Sequence, residues 1–280
     1  VIMRDENGVI AERYLHDSDY SSIPHFIEFP IKTPDDWAEI RERYVLDDPA
    51  RFLSEQEIAE ARAAQAEGKD MRLFFVGFYG QLRNLMGTQN LSYAFFDYPE
   101  MIESIVEHRA ELCARQIERL PSDIVIDQVN WWEDMAGKSG PLVGPQTVQR
   151  FLQPGYERVM DAAKARGCVL GMVDSDGDPG AIVGNWLEEG VNIMFPLEVA
   201  AGVDPYAWRE KFGMELRLRG GIGKQALVEG GQAIMRELER IRPLFEQGGY
   251  IPHLDHLVPP DVPFDHYREY LDAKRKFIGM

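Results

Sequence analysis

The feature that most constrains the fold of this chain is an alternation of short apolar runs with longer amphipathic segments. The apolar runs have the length of β-strands and lie at 73–78, 123–129, 168–173, 192–197, 216–221 and 249–252. Between most of them, apolar residues recur with helical spacing opposite a charged face, most clearly at 99–120, 145–167 and 229–249. Continuously apolar strands separated by amphipathic helices predict a parallel sheet that is covered on both faces.

Two α/β folds fit this pattern. An open doubly wound sheet is one, but no G-x-G-x-x-G motif follows the first strand to support it. A closed (β/α)8 barrel is the other, and it needs two strands beyond the six apolar runs. We predict a single-domain (β/α)8 TIM-type barrel, with residues 1–70 leading into a barrel core at 71–280. We also expect that an N-terminal part is missing, and that this part or the first 70 residues supply the other strands.

The N-terminal segment has its own local signals. Residues 1–30 read as short extended pieces, with a hairpin turn at Asp5-Glu6-Asn7-Gly8. Thr33 and Pro34 predict the start of a helix, with Thr33 as its N-cap. Residues 54–67 predict a second helix that ends at Gly68.

Composition narrows the class of partner and the compartment. Asp and Glu number 47 against 30 Lys and Arg, which gives a net charge of −17. Such a charge disfavours binding to nucleic acid or to an anionic membrane. No apolar run reaches the roughly 18 residues of a membrane span. The two cysteines, Cys113 and Cys168, do not form a C-x-x-C pair, so we expect reduced, buried thiols and a cytoplasmic protein.

Functional groups of parallel α/β folds lie just after the strands, and this rule selects the candidate residues. Tyr79 and Gln81 follow the first run and could line a pocket. Trp131 and Trp132, in the loop expected after 123–129, predict flat walls for a planar ligand. Glu133 follows them as a candidate ligand or proton acceptor.

Acidic and histidine residues follow the later strands. Asp174 and Asp176 end one buried run, and their mutual repulsion predicts a bound cation or raised pKa values. Glu198 follows the next run. His253 and His256 flank Asp255 near the last run, which is typical of metal ligands or general bases.

Two lysines in these loops are candidates for binding an anionic substrate group. Lys138 lies in the loop that also carries the tryptophans. Lys224 follows the glycines of Gly220-Gly221-Ile222-Gly223, which allow the backbone to approach a ligand closely. The alternative for both is an ordinary loop residue without a ligand.

Several of these segments together resemble the uroporphyrinogen decarboxylase superfamily. They are EDMAGKSGPLVGPQTVQRFLQPGYERV, VDSDGD, EEGVNIMFPLEVAAGVD, GGIGKQAL and GGYIPHLDHLVPPDVPFDHYREYL. The resemblance covers nearly the whole chain from about Phe75 onward. It implies a (β/α)8 barrel, whose members usually carry more N-terminal sequence than this chain.

Two branches of that superfamily matter here. One contains decarboxylases that need no cofactor and that hold a propionate with a Gly-His-Gly, whereas here Asp255 and Leu257 flank His256. The other contains zinc-dependent methyltransferases that exchange a methyl group with a corrinoid protein, with His-x-Cys after one strand and Cys after the last. This chain has Asp174-Ser175-Asp176 and His256 at those places, so the resemblance implies a zinc site without thiolate.

From the resemblance we predict a methyltransferase that moves a methyl group from a small methylated compound, such as a methoxylated aromatic, to a corrinoid protein. Its predicted zinc ligands are Asp174, Asp176, Glu198 and His256, and its predicted catalytic residues are Glu133, Asp176 and His256. The predicted substrate-binding residues are Tyr79, Gln81, Trp131, Trp132, Lys138, Lys224 and His253. The alternatives are a cofactor-independent decarboxylase and a non-catalytic ligand-binding barrel. We also expect a homodimer.

Overall fold

The computed structural model describes residues 1–14 and 23–280. In chain order its strands are β1 (Ile2–Arg4), β2 (Ile10–Glu12), β3 (His25–Glu28), β4 (Arg72–Val76), β5 (Gln128–Trp132), β6 (Ala136–Gly137), β7 (Gly140–Pro141), β8 (Gly171–Asp174), β9 (Val191–Leu197), β10 (Arg217–Ile222) and β11 (Tyr250–Leu254). Its helices are α1 (Pro34–Arg41), α2 (Glu55–Ala66), α3 (Phe78–Met86), α4 (Thr88–Asp97), α5 (Pro99–Glu118), α6 (Pro145–Thr147), α7 (Gln153–Ala165), α8 (Val183–Glu188), α9 (Pro205–Phe212), α10 (Gln225–Glu229), α11 (Gln232–Gln247) and α12 (Phe264–Phe277).

Six of these strands form one parallel sheet with the order β11-β10-β9-β8-β5-β4. Each strand therefore lies beside its predecessor in the sheet, and the order never reverses as it does in a doubly wound sheet. This sequential winding is that of a (β/α)8 barrel, so the predicted α/β barrel class is confirmed, with six of its strands in this sheet. The carboxyl ends of all six strands lie at one rim.

Each helix that the sequence predicts is observed. Thr33 caps α1, because its hydroxyl accepts from the Asp36 N–H while the Asp36 carboxylate accepts from the Thr33 N–H. Ser54 and Glu57 form the same reciprocal cap at α2. The predicted helix at 145–167 is observed as α6 and α7, joined by a π-helical turn at Val148–Leu152.

The N-terminal residues form a small antiparallel sheet of β1, β2 and β3. The predicted hairpin turn is confirmed, since the Gly8 N–H donates to the Asp5 carbonyl and Gly8 has a φ of +92°. The remainder of the predicted extended region, residues 15–22, lies outside the described residues. Trp37 and Ile40 of α1 belong to the same hydrophobic core as the barrel helices, so this segment packs on the barrel.

One predicted strand is displaced along the chain. The sequence predicts a strand at 123–129 and a loop with both tryptophans after it, but β5 spans Gln128–Trp132. Trp131 and Trp132 are therefore strand residues, and their side chains point to opposite faces of the sheet.

Among the described residues, no helix has both the length and the apolar character required to cross a membrane.

Candidate active site

A pocket of about 350 Å³ lies at the rim formed by the carboxyl ends of the strands. Its floor follows from strand register, because Trp132 of β5 pairs with Asp174 of β8, and Asp174 pairs with Phe195 of β9. Residues paired across neighbouring parallel strands point to the same face of the sheet. An aromatic ring, a carboxyl group and a second aromatic ring consequently stand side by side in this pocket.

The opposite wall comes from the C-terminal part of the chain. His253 and Leu254 of β11 contribute to it, and so does the loop that follows with His256. Helix α12 covers the pocket with Tyr267 and Lys274. A larger groove of about 720 Å³ lies between α11 and α12, but its lining contains none of the strand-end residues, so it is separate from this site.

Asp176 and His256 are in direct contact across the pocket. The Nε2 atom of His256 lies 3.1 Å from Oδ2 of Asp176, and both side chains are partly exposed. A carboxylate can only accept, so Nε2 carries the proton in this hydrogen bond. Burial raises the pKa of the Asp176 carboxyl, and the charge of His256 opposes that shift.

Asp174 is the more enclosed of the two acids in the pocket. Burial raises the pKa of Asp174 to about 7, and the negative charges of Asp176 and Asp134 add to this effect. Arg219 and His256 act in the opposite direction. The carboxyl group of Asp174 is therefore shared between its protonated and ionised forms near neutral pH, as a proton donor to a substrate requires.

His253 is oriented by the backbone of its own strand. Its Nδ1 lies 2.8 Å from the Leu254 carbonyl, which can only accept, so Nδ1 carries the proton in this hydrogen bond. Burial lowers the pKa of His253, and its ring packs edge-to-face on Phe195 with a centroid distance of 5.1 Å. His253 lines the pocket as a polar wall residue.

The predicted metal ligands do not converge in this structure. The Glu198 carboxylate accepts from the Gly177 N–H at 2.8 Å, and its other oxygen lies 3.8 Å from Nζ of Lys224. Asp176 is engaged with His256. Within 1–14 and 23–280, no three side chains of His, Cys, Asp or Glu are grouped as a metal site requires. The donor types suit zinc, but their arrangement does not, and the zinc site stays a prediction.

Glu133, predicted as catalytic, lies in the core rather than in the pocket. Its carboxylate accepts from the backbone N–H groups of Phe78 and Gly80, each at 2.8 Å, and from the Tyr156 hydroxyl. Burial raises the pKa of Glu133 to about 7 although these donors oppose the shift. The Glu133 carboxylate therefore connects the start of α3 to the end of β5 by hydrogen bonds, which is a structural role.

Trp131 and Trp132 are also separated by the fold. Trp131 is fully buried and packs edge-to-face on Tyr156 of α7, so it lies behind the sheet and not beside the pocket. Trp132 lines the pocket, and the guanidinium of Arg83 lies 4.8 Å from its ring centre. Arg83 also donates to the Asp134 carboxylate at 2.8 Å, which fixes the far side of this wall.

The remaining predicted binding residues lie away from the pocket. Tyr79 is buried in the core, where burial raises its pKa to about 12. Gln81 lines a separate small cavity beside Trp37 and His108. Lys138 lies in the turn between β6 and β7, and Lys224 immediately precedes α10 and faces Glu198. None of these four side chains lines the pocket that holds Asp174.

Sequence reasoning also missed residues that do line the site. The sequence predicts a strand at Phe195 without a functional role, and it predicts no role for Tyr267 or Lys274. Phe195 carried a usable signal, because it stands near the end of a buried strand, where the rule about strand ends applies. Lys274 carried none, since only the packing of α12 over the barrel rim brings it to the pocket.

Comparison with known proteins decides the family. The family model for uroporphyrinogen decarboxylase (URO-D) matches residues 19–277. The chain belongs to the URO-D family. A uroporphyrinogen decarboxylase of Granulibacter bethesdensis is 28% identical over 135 residues, which are 48% of this chain and 38% of that protein. One of Maricaulis maris is 24% identical over 182 residues, which are 64% of this chain and 50% of that protein. The aligned part thus spans half or less of each relative.

A solved structure supports the same fold for this URO-D family member. A methyltransferase from Methanosarcina mazei superposes with a TM-score of 0.59 over 91% of this chain and 72% of its own. The two sequences are 13% identical. At this identity the likeness establishes the fold and leaves the reaction to be argued from the site.

Proposed function

We propose that this URO-D family member is a methyltransferase that moves a methyl group from a small methoxylated aromatic compound to a corrinoid protein. The observation that carries the proposal is the register of Trp132, Asp174 and Phe195, which puts one carboxyl group between two aromatic rings in an open pocket. Aromatic walls suit a planar substrate, and the carboxyl group suits protonation of its ether oxygen.

The proposed step is a displacement at the methyl carbon. The bond between this carbon and the ether oxygen breaks, and its electron pair stays on the oxygen, which takes the proton of Asp174. The methyl carbon forms a new bond with the cobalt(I) of the corrinoid substrate, which supplies the electron pair and becomes formally cobalt(III). Asp174 then regains a proton from water through the more exposed pair of Asp176 and His256.

The pocket volume supports a substrate with a single ring. A volume of about 350 Å³ lies at the lower end of the roughly 300–1,000 Å³ that small-molecule sites span. That space suits one substituted aromatic ring better than a four-ring tetrapyrrole. The proposed substrate is therefore a small methylated compound.

Zinc assistance and the homodimer are predictions that stand beside this proposal. Binding of zinc by Asp174, Asp176, Glu198 and His256 would require the hydrogen bond between Asp176 and His256 to open. Elemental analysis of protein purified with added zinc tests this. One equivalent of zinc that His256→Ala loses would support the site, and a zinc-free wild type would contradict it. No step above depends on the metal.

A cofactor-independent decarboxylase is the second candidate. The names of both curated relatives favour it. So do two cations near the pocket, Lys274 and Arg219, which could hold a substrate carboxylate. In that reaction Asp174 would protonate the carbon that loses carbon dioxide.

One incubation separates the candidates. Full-length protein is mixed anaerobically with cob(I)alamin and 3-methoxybenzoate, and methylcobalamin is followed by its absorbance while carbon dioxide is trapped. Formation of methylcobalamin that falls about 100-fold in Asp174→Asn supports methyl transfer. Release of carbon dioxide without methylcobalamin supports the decarboxylase. Neither product from a panel of methoxylated aromatics, with the ligand still bound, favours a non-catalytic barrel.

A further inference from the structure

Lys274 of α12 points into the pocket that holds Asp174. Within the described parts of the chain, its ammonium group forms no ion pair or hydrogen bond, and Nζ lies 5.9 Å from the ring centre of Tyr270. Lys32 and Lys69 differ, since each lies 2.7 Å from a glutamate oxygen although it is exposed. A half-buried cation without a counter-charge is costly unless a ligand supplies one.

Arg219 of β10 is a second unneutralised cation near the same pocket. Its guanidinium stacks 4.4 Å from the ring centre of Phe195, and Nη1 lies 3.8 Å from the Met172 sulfur. Among residues 1–14 and 23–280, no carboxylate forms an ion pair with it. Burial lowers the pKa of Lys274, and the positive charge of Arg219 lowers it further. The two cations therefore interact electrostatically.

The acids in the pocket form no ion pair with these two cations. Asp176 lies 3.1 Å from Nε2 of His256, on the side of the pocket formed by the loop after β11. Within 1–14 and 23–280, Asp174 likewise forms no hydrogen bond or ion pair with Lys274 or Arg219. The two cations of this pocket therefore lack a carboxylate partner in a protein whose net charge is −17.

We propose that Lys274 binds an anionic group of the substrate, with Arg219 as the second positive charge, so that the pocket takes an aromatic carboxylate. The ring lies against Trp132 and Phe195, and the carboxylate contacts Nζ of Lys274. The inference rests on the proposed function for the reaction that follows binding, and it rests on geometry alone for the binding itself.

Binding of matched ligands tests the proposal without any turnover. Isothermal titration of the full chain compares 3-methoxybenzoate with 3-methoxybenzyl alcohol, which has a similar shape and no charge. We expect the acid to bind roughly tenfold to a hundredfold more tightly, as one hydrogen bond to a charged group provides. Lys274→Met, which keeps an apolar stem, should abolish that preference.

Two further variants make the test specific. Lys276→Met changes a lysine on the same helix that lines the groove between α11 and α12, and it should leave the preference intact. Lys274→Glu should reverse the preference, so that 3-methoxybenzylamine binds more tightly than the acid. Thermal unfolding confirms that each variant is folded.

The outcomes for binding and for reaction are separable. Equal affinity of the wild type for acid and alcohol overturns the proposal, and so does an unchanged preference in folded Lys274→Met. Tight, Lys274-dependent binding of the acid without methylcobalamin formation leaves this inference standing and contradicts the proposed methyl transfer.

Discussion

The imidazole of His256 donates to the carboxylate of Asp176 across 3.1 Å, although 80 positions separate the two residues in the chain. The contact joins the loop after β8 to the loop after β11, which enter the rim from opposite sides of β9 and β10. Asp174 lies two residues before Asp176 at the floor of the same pocket. In the proposed reaction this partly exposed pair passes protons between solvent and Asp174.

Asp176→Asn tests this link. The pair is partly exposed, with side-chain exposures of 40% and 33%, so its loss should change the free energy of unfolding by less than about 1 kcal/mol. Loss of the relay should lower kcat about tenfold or more. Urea unfolding and the methylcobalamin assay measure the two effects. Asp265→Asn, at a side chain that is 91% exposed, should change neither. Full activity in folded Asp176→Asn contradicts the relay.

Glu133 should make stability depend on pH. Burial raises its pKa from 4.5 to about 7, so between these values the folded protein binds more protons than the unfolded chain. The free energy of unfolding from this group is fully present below pH 4.5 and falls by about 3 kcal/mol as the pH rises to 7.

Urea unfolding between pH 4.5 and 8 measures that dependence. Glu133→Gln should flatten part of the slope, and Asp174→Asn should flatten another part, because burial raises the pKa of Asp174 to about 7 as well. Glu210→Gln, at an exposed position of α9, is the control and should keep the slope of the wild type. Superimposable curves for wild type and Glu133→Gln would exclude the assigned role.

Gly77→Ala should destabilise the fold. Gly77 has a φ of −71°, which any residue adopts, but a Cβ there would stand 2.1 Å from the Glu133 carboxylate. The clamp on the start of α3 would have to open, which we expect to cost about 3 kcal/mol or more. Gly184→Ala in α8 meets no atom within 4 Å and should be neutral or stabilising. Equal melting temperatures for these two variants would contradict the clamp.

Trp131 and Trp132 should respond differently to replacement by alanine. Trp131 is fully buried, so Trp131→Ala should cost about 3–5 kcal/mol of stability. Trp132→Ala should cost less and should raise KM for a methoxylated aromatic instead. Thermal unfolding and steady-state kinetics measure both, and similar KM values for Trp132→Ala and wild type would remove Trp132 from the binding wall.

The sequence predicts the barrel and its rim well because both depend on local patterns. Apolar runs locate five of the six sheet strands to within a few residues, and the acids after β8 and the histidines near the end of β11 do meet in one pocket. The sequence places β5 too early, because the apolar run at 123–129 begins before the strand itself does at Gln128. It also places the two tryptophans in a loop, although aromatic residues favour strands.

The parts that the sequence could not predict depend on packing between distant elements. Glu133 and Asp134 are adjacent acids, and nothing local shows that the first is buried against α3 while the second pairs with Arg83. Lys274 is one of several basic residues near the end of α12. Only the docking of that helix on the rim distinguishes it from Lys276, which faces the other groove.

The unbroken sequential order of the six strands has a practical meaning for altering this protein. Trp132, Asp174 and Phe195 each belong to a different strand, and Lys274 belongs to the last helix. Each of these walls of the pocket is therefore encoded by its own short stretch of chain. Replacing one stretch at a time would change the aromatic wall, the proposed proton donor or the proposed anion-binding lysine separately. Ligand preference and chemistry could then be retuned independently on an unchanged scaffold.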